Sequence, residues 1–350
     1  MIMKVLRAFI LICLAALGSF AAMPASAIDS PRIARWYHSY AGAISLRFDD
    51  QLESHINTAI PLLNHYGFRA TFMVNPGLQR YRDHQNFWEQ QVPAMGHRLG
   101  NHTLHHRGAR NIEEADYEIG ETSRVIWGAY PRESKLLDFA SGGGWGGLKW
   151  GGKVWHDADP AYRQLMEKYH LIDLFDGKHP YISVRTDLRT DDLCSRLDRT
   201  ADEQRHQAFA FHNIGQPSVL ERIKALFRGY GLTISREFFS EFLQCLAERR
   251  DRLWIAPLID ILKYEEEARG ATIRVLKSTR RSCILALAVR TDPALYDHKL
   301  TVILPIEQGM AVRSVTQNNE KGHVYQRIPG EFLVDLKPVN STITVHYNSM

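Results

Sequence analysis

Apolar residues follow two rhythms along this chain. Ala43-Ile44-Ser45-Leu46-Arg47-Phe48 and Ala70-Thr71-Phe72-Met73-Val74 are short, dense runs rich in β-branched and aromatic residues, and predict strands. Between them Ile56, Ala59, Ile60, Leu62 and Leu63 recur at three and four, the spacing of one helix face. The alternation continues. Helices are predicted over 87–94, 112–126, 160–169, 187–203, 235–249 and 259–268, with strands over 97–101, 136–140, 171–175, 208–211 and 253–255. Alternating strands and helices imply parallel strands joined by crossovers, and seven or eight units in about 240 residues favour a barrel over an open sheet. Past Gly270 the helical period stops. Runs at 272–276, 284–289, 301–304 and 343–346, separated by turn residues, predict a small all-β, sandwich-like unit.

The first residues follow neither rhythm. Lys4 and Arg7 precede an apolar run from Ala8 to Phe20, and Ala25-Ser26-Ala27 follows Pro24, the pattern of a secretory signal cleaved after Ala27. An uncleaved membrane anchor is the alternative, disfavoured because the run is short for a bilayer. The expected organisation is therefore signal 1–27, barrel 28–268 and β-unit 269–350, with a secreted or periplasmic product that has no stable membrane insertion. Beyond the signal stand Cys194, Cys245 and Cys283, an odd number, and no pairing is assigned. With 350 residues, 45% hydrophobic and 23% charged, the composition is that of a globular protein and excludes collagen, coiled coil and disorder. The net charge of +4 is spread without a basic block, so no nucleic-acid partner is expected.

Chemistry gathers at the ends of predicted strands. Asp49-Asp50 closes the first, His102, His105 and His106 follow the third, and His212 closes the strand at 208–211. Adjacent carboxylates after an apolar strand must be solvated, paired or coordinated. Asp50 as a helix cap is the plainer reading. His102 and His106 stand at i, i+4, and two imidazoles with one carboxylate leave open positions on a catalytic zinc. His105 is a substitute ligand at i, i+3. Gly142, Gly144 and Gly147 form G-x-G-x-x-G, but Leu148-Lys149-Trp150-Gly151-Gly152 does not open a helix, so a dinucleotide site is not expected. The loop presents Trp145, Trp150 and Trp155 to a sugar face or packs them into a core or hairpin.

Leu46-Arg47-Phe48-Asp49-Asp50, Ala70-Thr71-Phe72-Met73-Val74 and Gly96-His97-Arg98-Leu99-Gly100-Asn101-His102-Thr103-Leu104-His105-His106 together resemble the polysaccharide deacetylases with a NodB-type domain, carbohydrate esterase family four. The resemblance extends over residues 40 to 265 and is strong in the first half. It implies a distorted (β/α) barrel, Asp49 as the base, and Asp50, His102 and His106 as ligands of a divalent metal, usually Zn2+. Phe209-Ala210-Phe211-His212 is similar to the family's late strand end and implies His212 as the acid. Backbone N–H groups at Ser141 and Gly142 would hold the oxyanion, with Trp145 on the substrate loop.

Three departures stand out. Gln51 replaces the usual Gly. Phe139-Ala140-Ser141-Gly142-Gly143 matches the third motif without its Arg. Asp173-Leu174-Phe175-Asp176 stands at the fourth without its Trp, leaving Asp173 and Asp176 as groups that tune the acid. In the family that Arg lies beside the base, so its absence predicts an ordinary or raised pKa for Asp49, unless Lys149 or Lys153 fills the role. The implied substrate is an acetylated polysaccharide or oligosaccharide, an N-acetylglucosamine polymer or an O-acetylated glycan. A catalytically weak carbohydrate-binding protein of the same fold is the alternative. A non-haem iron oxygenase also uses two histidines and a carboxylate, but its H-x-D arrangement is missing here.

Overall fold

The computed structural model describes residues 30–349 apart from 143–148, 151–152, 155–159, 175–177, 305, 307–308 and 327–330. The expected signal lies outside the described residues. No helix among them is long and apolar enough to cross a membrane.

Eight parallel strands form the main sheet: β1 (Gly42–Asp49), β2 (Thr71–Val74), β3 (Arg98–Asn101), β4 (Leu137–Phe139), β5 (Leu171–Asp173), β6 (Tyr181–Ser183), β7 (His206–Phe211) and β8 (Leu253–Ile255). Their spatial order is β5-β4-β3-β2-β1-β7-β6. One side of β1 pairs with β7, from Ala43 opposite His206 to Phe48 opposite Phe211. Its other side is shared, with β8 against Gly42–Ile44 and β2 against Arg47–Asp49. A strand with neighbours on both edges and layers on both faces must bury everything, and all eight residues of β1 are buried. The sheet is curled into a half-barrel, the barrel expected from the alternation, distorted as the resemblance implies.

Strand alternation sorts the side chains of β1 onto two faces. Ile44, Leu46 and Phe48 enter the main core. There Phe48 stacks on Phe72 and Phe211, at 5.0 and 5.1 Å. Ser45, Arg47 and Asp49, also buried, occupy the opposite face. The surrounding helices are α1 (Ile60–Tyr66), α2 (Ile112–Ala129), α3 (Pro160–Lys168), α4 (Thr190–Asp202), α5 (Val219–Arg228), α6 (Arg236–Ala247) and α7 (Leu258–Gly270). Helix α7 starts against the inner face: Leu258 and Leu262 pack on Met73, Ala140 and Leu174, and Leu258 N–H donates to Thr71 Oγ1 at 3.0 Å. Cys194 on α4 and Cys245 on α6 form a disulfide, while Cys283 is a buried free thiol.

Strands β9 (Thr272–Thr279), β10 (Ser282–Ala288), β11 (Leu300–Leu304), β12 (Met310–Gln317), β13 (Glu320–Gly322), β14 (Val324–Gln326), β15 (Phe332–Leu336) and β16 (Ser341–Ser349) build two antiparallel sheets, the all-β texture expected past Gly270. One runs β9-β10-β16-β12-β13. The other runs β11-β15-β14 with Arg32–Ile33 added beside β11. The chain thus enters through the β-unit's sheet before it builds the barrel, a pairing of residues 270 positions apart that no local pattern announces. The core beneath these sheets is shared: Trp36, Ala43, Trp254 and Tyr264 pack with Leu285, Val302, Val334 and Ile343.

Strand β6 and helix α5 were not anticipated. β6 has no buried residue to mark it, whereas α5 does carry apolar residues at helical spacing although it buries none of them.

Candidate active site

β1 ends by turning sharply. Asp50 and Gln51 adopt φ of +80° and +39°, a region unfavourable to side chains with a Cβ, which explains why a Gly is usual at the second position. Gln51 offsets the strain with its amide: Oε1 accepts from Asn75 N–H at 2.9 Å. Asn75 then donates through Nδ2 to the carbonyls of His102 and Thr103, joining the ends of β1, β2 and β3. Thr103 and His106 also have positive φ, so the histidine loop is a series of tight turns and not the helical turn that the i, i+4 spacing suggested.

Those turns bring Asp50, His102 and His106 together, one ligand atom from each lying within 4.8 Å of the others. His106 Nε2 is 3.1 Å and His102 Nε2 3.6 Å from Asp50 Oδ1. His102 Nδ1–H donates to the Ala140 carbonyl at 2.6 Å, which fixes the tautomer and leaves the Nε2 lone pair on the cluster side. Asp50 Oδ1 is buried, and among the described residues no donor meets it with good hydrogen-bond geometry. Burial would raise the Asp50 carboxyl, but the neighbouring His102, His106 and His212 outweigh it and hold the group below the ordinary carboxylate range. A carboxylate and two imidazoles facing one point is a donor set suited to a divalent metal.

His105, the substitute ligand, turns away. Its backbone N–H and Nδ1–H both reach Glu118 on α2, each at 2.8 Å, and Arg107 Nε adds a third donor at 3.1 Å. The fully buried Glu118 carboxylate therefore anchors the histidine loop from behind.

Asp49 sits beside the cluster and differs from expectation. Arg47, two residues earlier on the same face of β1, places Nε 2.9 Å from Asp49 Oδ1 and donates through Nη2 to Oδ2 at 3.0 Å, both side chains almost fully buried. The guanidinium also lies 4.5 Å over the Tyr181 ring. Burial alone would raise the Asp49 carboxyl. Arg47, with His102 and His212, overcomes this and lowers it. The expectation of an ordinary or raised Asp49 pKa is therefore corrected. The cation stands on Asp49's own strand and not after β4; within β4, Asp138 lies buried with no hydrogen-bond partner for its carboxylate among the described residues, its carboxyl pushed up to about 7 chiefly by desolvation. The i, i+2 spacing of Arg47 and Asp49 was the available signal, because a cation on a buried face needs a partner. The side chains of Lys149 and Lys153 fall outside the described residues.

His212, at the end of β7, brings Nε2 to 3.9 Å from Asp49 Oδ2. It is positioned through its backbone. The buried His55 donates from Nε2 to the His212 carbonyl at 2.7 Å and accepts the Leu52 N–H at Nδ1. Burial keeps His55 neutral, its pKa lowered to about 4. Gly142 closes the site from the β4 side, where an added Cβ would sit 2.5 Å from the His102 carbonyl. Ser141 is buried beside it with Oγ unpartnered. Asp173 accepts from Tyr162 Oη at 2.7 Å. Trp145, Trp155 and Asp176 lie outside the described residues, as does the side chain of Trp150. The sequence reading missed Arg47, His55, Asn75, Glu118 and also Arg80, whose Nη2 lies 3.8 Å from Asp50 Oδ1 at the half-exposed mouth.

Comparison with known proteins returns the same region. Residues 39–145 match the family model for polysaccharide deacetylase. A curated gellan lyase from Bacillus sp. is 24% identical over 311 residues, which is 82% of this chain but only 12% of that protein. Among solved structures, the family 4 carbohydrate esterase from Streptomyces lividans is 17% identical, with a TM-score of 0.39 over 63% of this chain and 94% of that one. The Xyl-CE4 domain of a multidomain xylanase from the hindgut metagenome of Trinervitermes trinervoides is 15% identical, with a TM-score of 0.42 over 63% of this chain and 90% of that one. The paired carboxylates and the histidine loop both lie inside the segment that matches the polysaccharide deacetylase family model.

Proposed function

We propose that the chain is a metal-dependent hydrolase that removes acetyl groups from a polysaccharide or oligosaccharide outside the cytoplasm. The observation that carries this is the convergence of Asp50, His102 and His106 beside an Asp49 already paired with Arg47. Asp50 Oδ1 and the two Nε2 atoms would hold the ion, for which Zn2+ suits the imidazole-rich set. When bound, a divalent ion there supplies Lewis acidity and lowers the pKa of water. Asp49, kept ionised by Arg47, takes the proton of the attacking water, and His212 gives a proton to the departing sugar nitrogen or oxygen. Backbone N–H groups at Ser141 and Gly142 are the proposed oxyanion donors, with Trp145 toward the glycan and Asp173 and Asp176 as tuning groups.

In this reading residues 1–27 direct export, the barrel of 28–268 performs the chemistry, and 269–350 form the β-unit that packs on it. Acetate release from a panel of N- and O-acetylated glycans, with and without a chelator and with bound metal quantified, tests the proposal. Chelator-sensitive release is expected. A metal-loaded protein that binds the glycans and releases no acetate would replace this reading with a carbohydrate-binding one.

A further inference from the structure

Helix α5 is the strongest anomaly of the surface. Val219, Leu220, Ile223, Leu226 and Phe227 are 73, 59, 46, 83 and 89% exposed. At 100° per residue they occupy a single arc of about 120°, with Arg222 and Lys224 each about 40° beyond one of its edges. The helix is nonetheless firmly built. Ser218 and Glu221 form a capping box, and Gly229 closes the other end with φ of +77°. Glu221, its sole acid, accepts from Ser218 N–H at 2.7 Å and Thr233 Oγ1 at 2.8 Å, so its hydrogen-bonding capacity is spent at the N-terminus, although its charge still acts on Lys224. Thr233 in turn accepts from Asn213, the residue after His212, at 3.3 Å. The apolar arc is thus fixed to the rim that bears the reaction site.

We infer that α5 is a docking element for an anionic phospholipid surface. An apolar arc with a cation on each side is the complement of such a surface: the acyl boundary takes Leu226 and Phe227 while Arg222 and Lys224 reach lipid phosphates. A second copy of this chain fits poorly, because two-fold pairing of this face would set the Arg222 and Lys224 of both copies along one seam. Docking through α5 would hold the mouth of the site close to the membrane plane, where surface-attached glycans lie. The inference does not depend on the deacetylase reading, since its readout is lipid binding.

Sedimentation of the intact protein with phosphatidylglycerol vesicles and with phosphatidylcholine vesicles tests it. Binding is expected to be on the order of 10–100-fold tighter to the anionic vesicles, since each cation near such a surface contributes about a fivefold gain and the two together about 30-fold. Phe227→Glu should weaken it by roughly 30-fold or more, from loss of a buried phenyl group. Arg222→Gln with Lys224→Gln should abolish the preference for the anionic lipid. These exposed substitutions should leave circular dichroism and Tm unchanged. No binding to anionic vesicles, equal binding to both lipids, or indifference to Phe227→Glu would overturn the inference. So would a dimer in light scattering that Phe227→Glu dissolves, which would assign the face to a second copy.

Discussion

Replacing Arg47 by Met keeps most of its volume and removes the one cation among the described residues that touches Asp49 at hydrogen-bond distance. Two unit charges about 4 Å apart interact by about 4 kcal/mol at an effective dielectric constant of 20, equivalent to about three pKa units. Asp49 is 4% exposed, so water does little to replace the lost partner. The sign follows from the direction of the shift. In the folded protein the Asp49 carboxyl is depressed, so the pair contributes stability that is full above the ordinary carboxylate pKa and is lost as pH falls through the depressed value. In Arg47→Met burial acts unopposed by its main counterweight, and the carboxyl should rise above its ordinary value.

The acid limb of kcat/KM against pH should then move upward by one to three units, roughly, the lower figure allowing for relaxation. Unfolding at pH 8 should show a loss of about 3 kcal/mol that shrinks on acidification, as Asp49 becomes neutral. Arg47→Lys should restore the limb only in part, because an ammonium cannot span both carboxylate oxygens. Metal content, measured alongside, separates this effect from damage to the neighbouring ligands. An unmoved acid limb in a variant that keeps its metal would refute the assignment of Arg47 as the cation that sets the base.

Four further outcomes are expected. Asp50→Ala, His102→Ala and His106→Ala should each strip metal from the purified protein, whereas His105→Ala, whose ring faces Glu118, should retain most of it; a reversed order for the last two would show that the loop register is wrong. His55 and His97 are buried and His206 half-buried, with pKa values lowered by desolvation to about 4, 4 and 3, so the unfolded chain binds more protons and stability should fall as pH drops from about 6.5 to 4, measured by urea unfolding; a flat profile there would contradict their being held neutral. Replacing Cys194 and Cys245 by Ser should lower stability by at most about 4 kcal/mol, the loop-closure value for a separation of 51 residues, and an unchanged denaturation midpoint would argue against the bridge. A chain ending at Ala268 would expose Trp36, Trp254 and Tyr264 and strand Arg32–Ile33 without its partner, so it should aggregate or melt early, and a soluble, cooperatively folding product would show that the shared core is dispensable.

Local pattern was enough for the alternation of strands and helices, the change of texture near Gly270 and the grouping of Asp49, Asp50, His102, His106 and His212 at strand ends. Each rests on a period of two or 3.6, or on a motif read within a few residues. The α5 arc is also present in the sequence at helical spacing, and what only the structure decided is that this face is left exposed. Tertiary structure decided the rest. Arg47 and Asp49 share a face by strand alternation, but only closure of β1 between β7 on one edge and β2 and β8 on the other excludes water from that face and makes their pairing strong. His105 stood as a substitute for His106 until Glu118, thirteen residues away on α2, took its donors. The return of Arg32–Ile33 to pair with β11, and the disulfide between α4 and α6, join positions too far apart in the chain for any local preference to encode. Such contacts arise only when packing brings distant surfaces together.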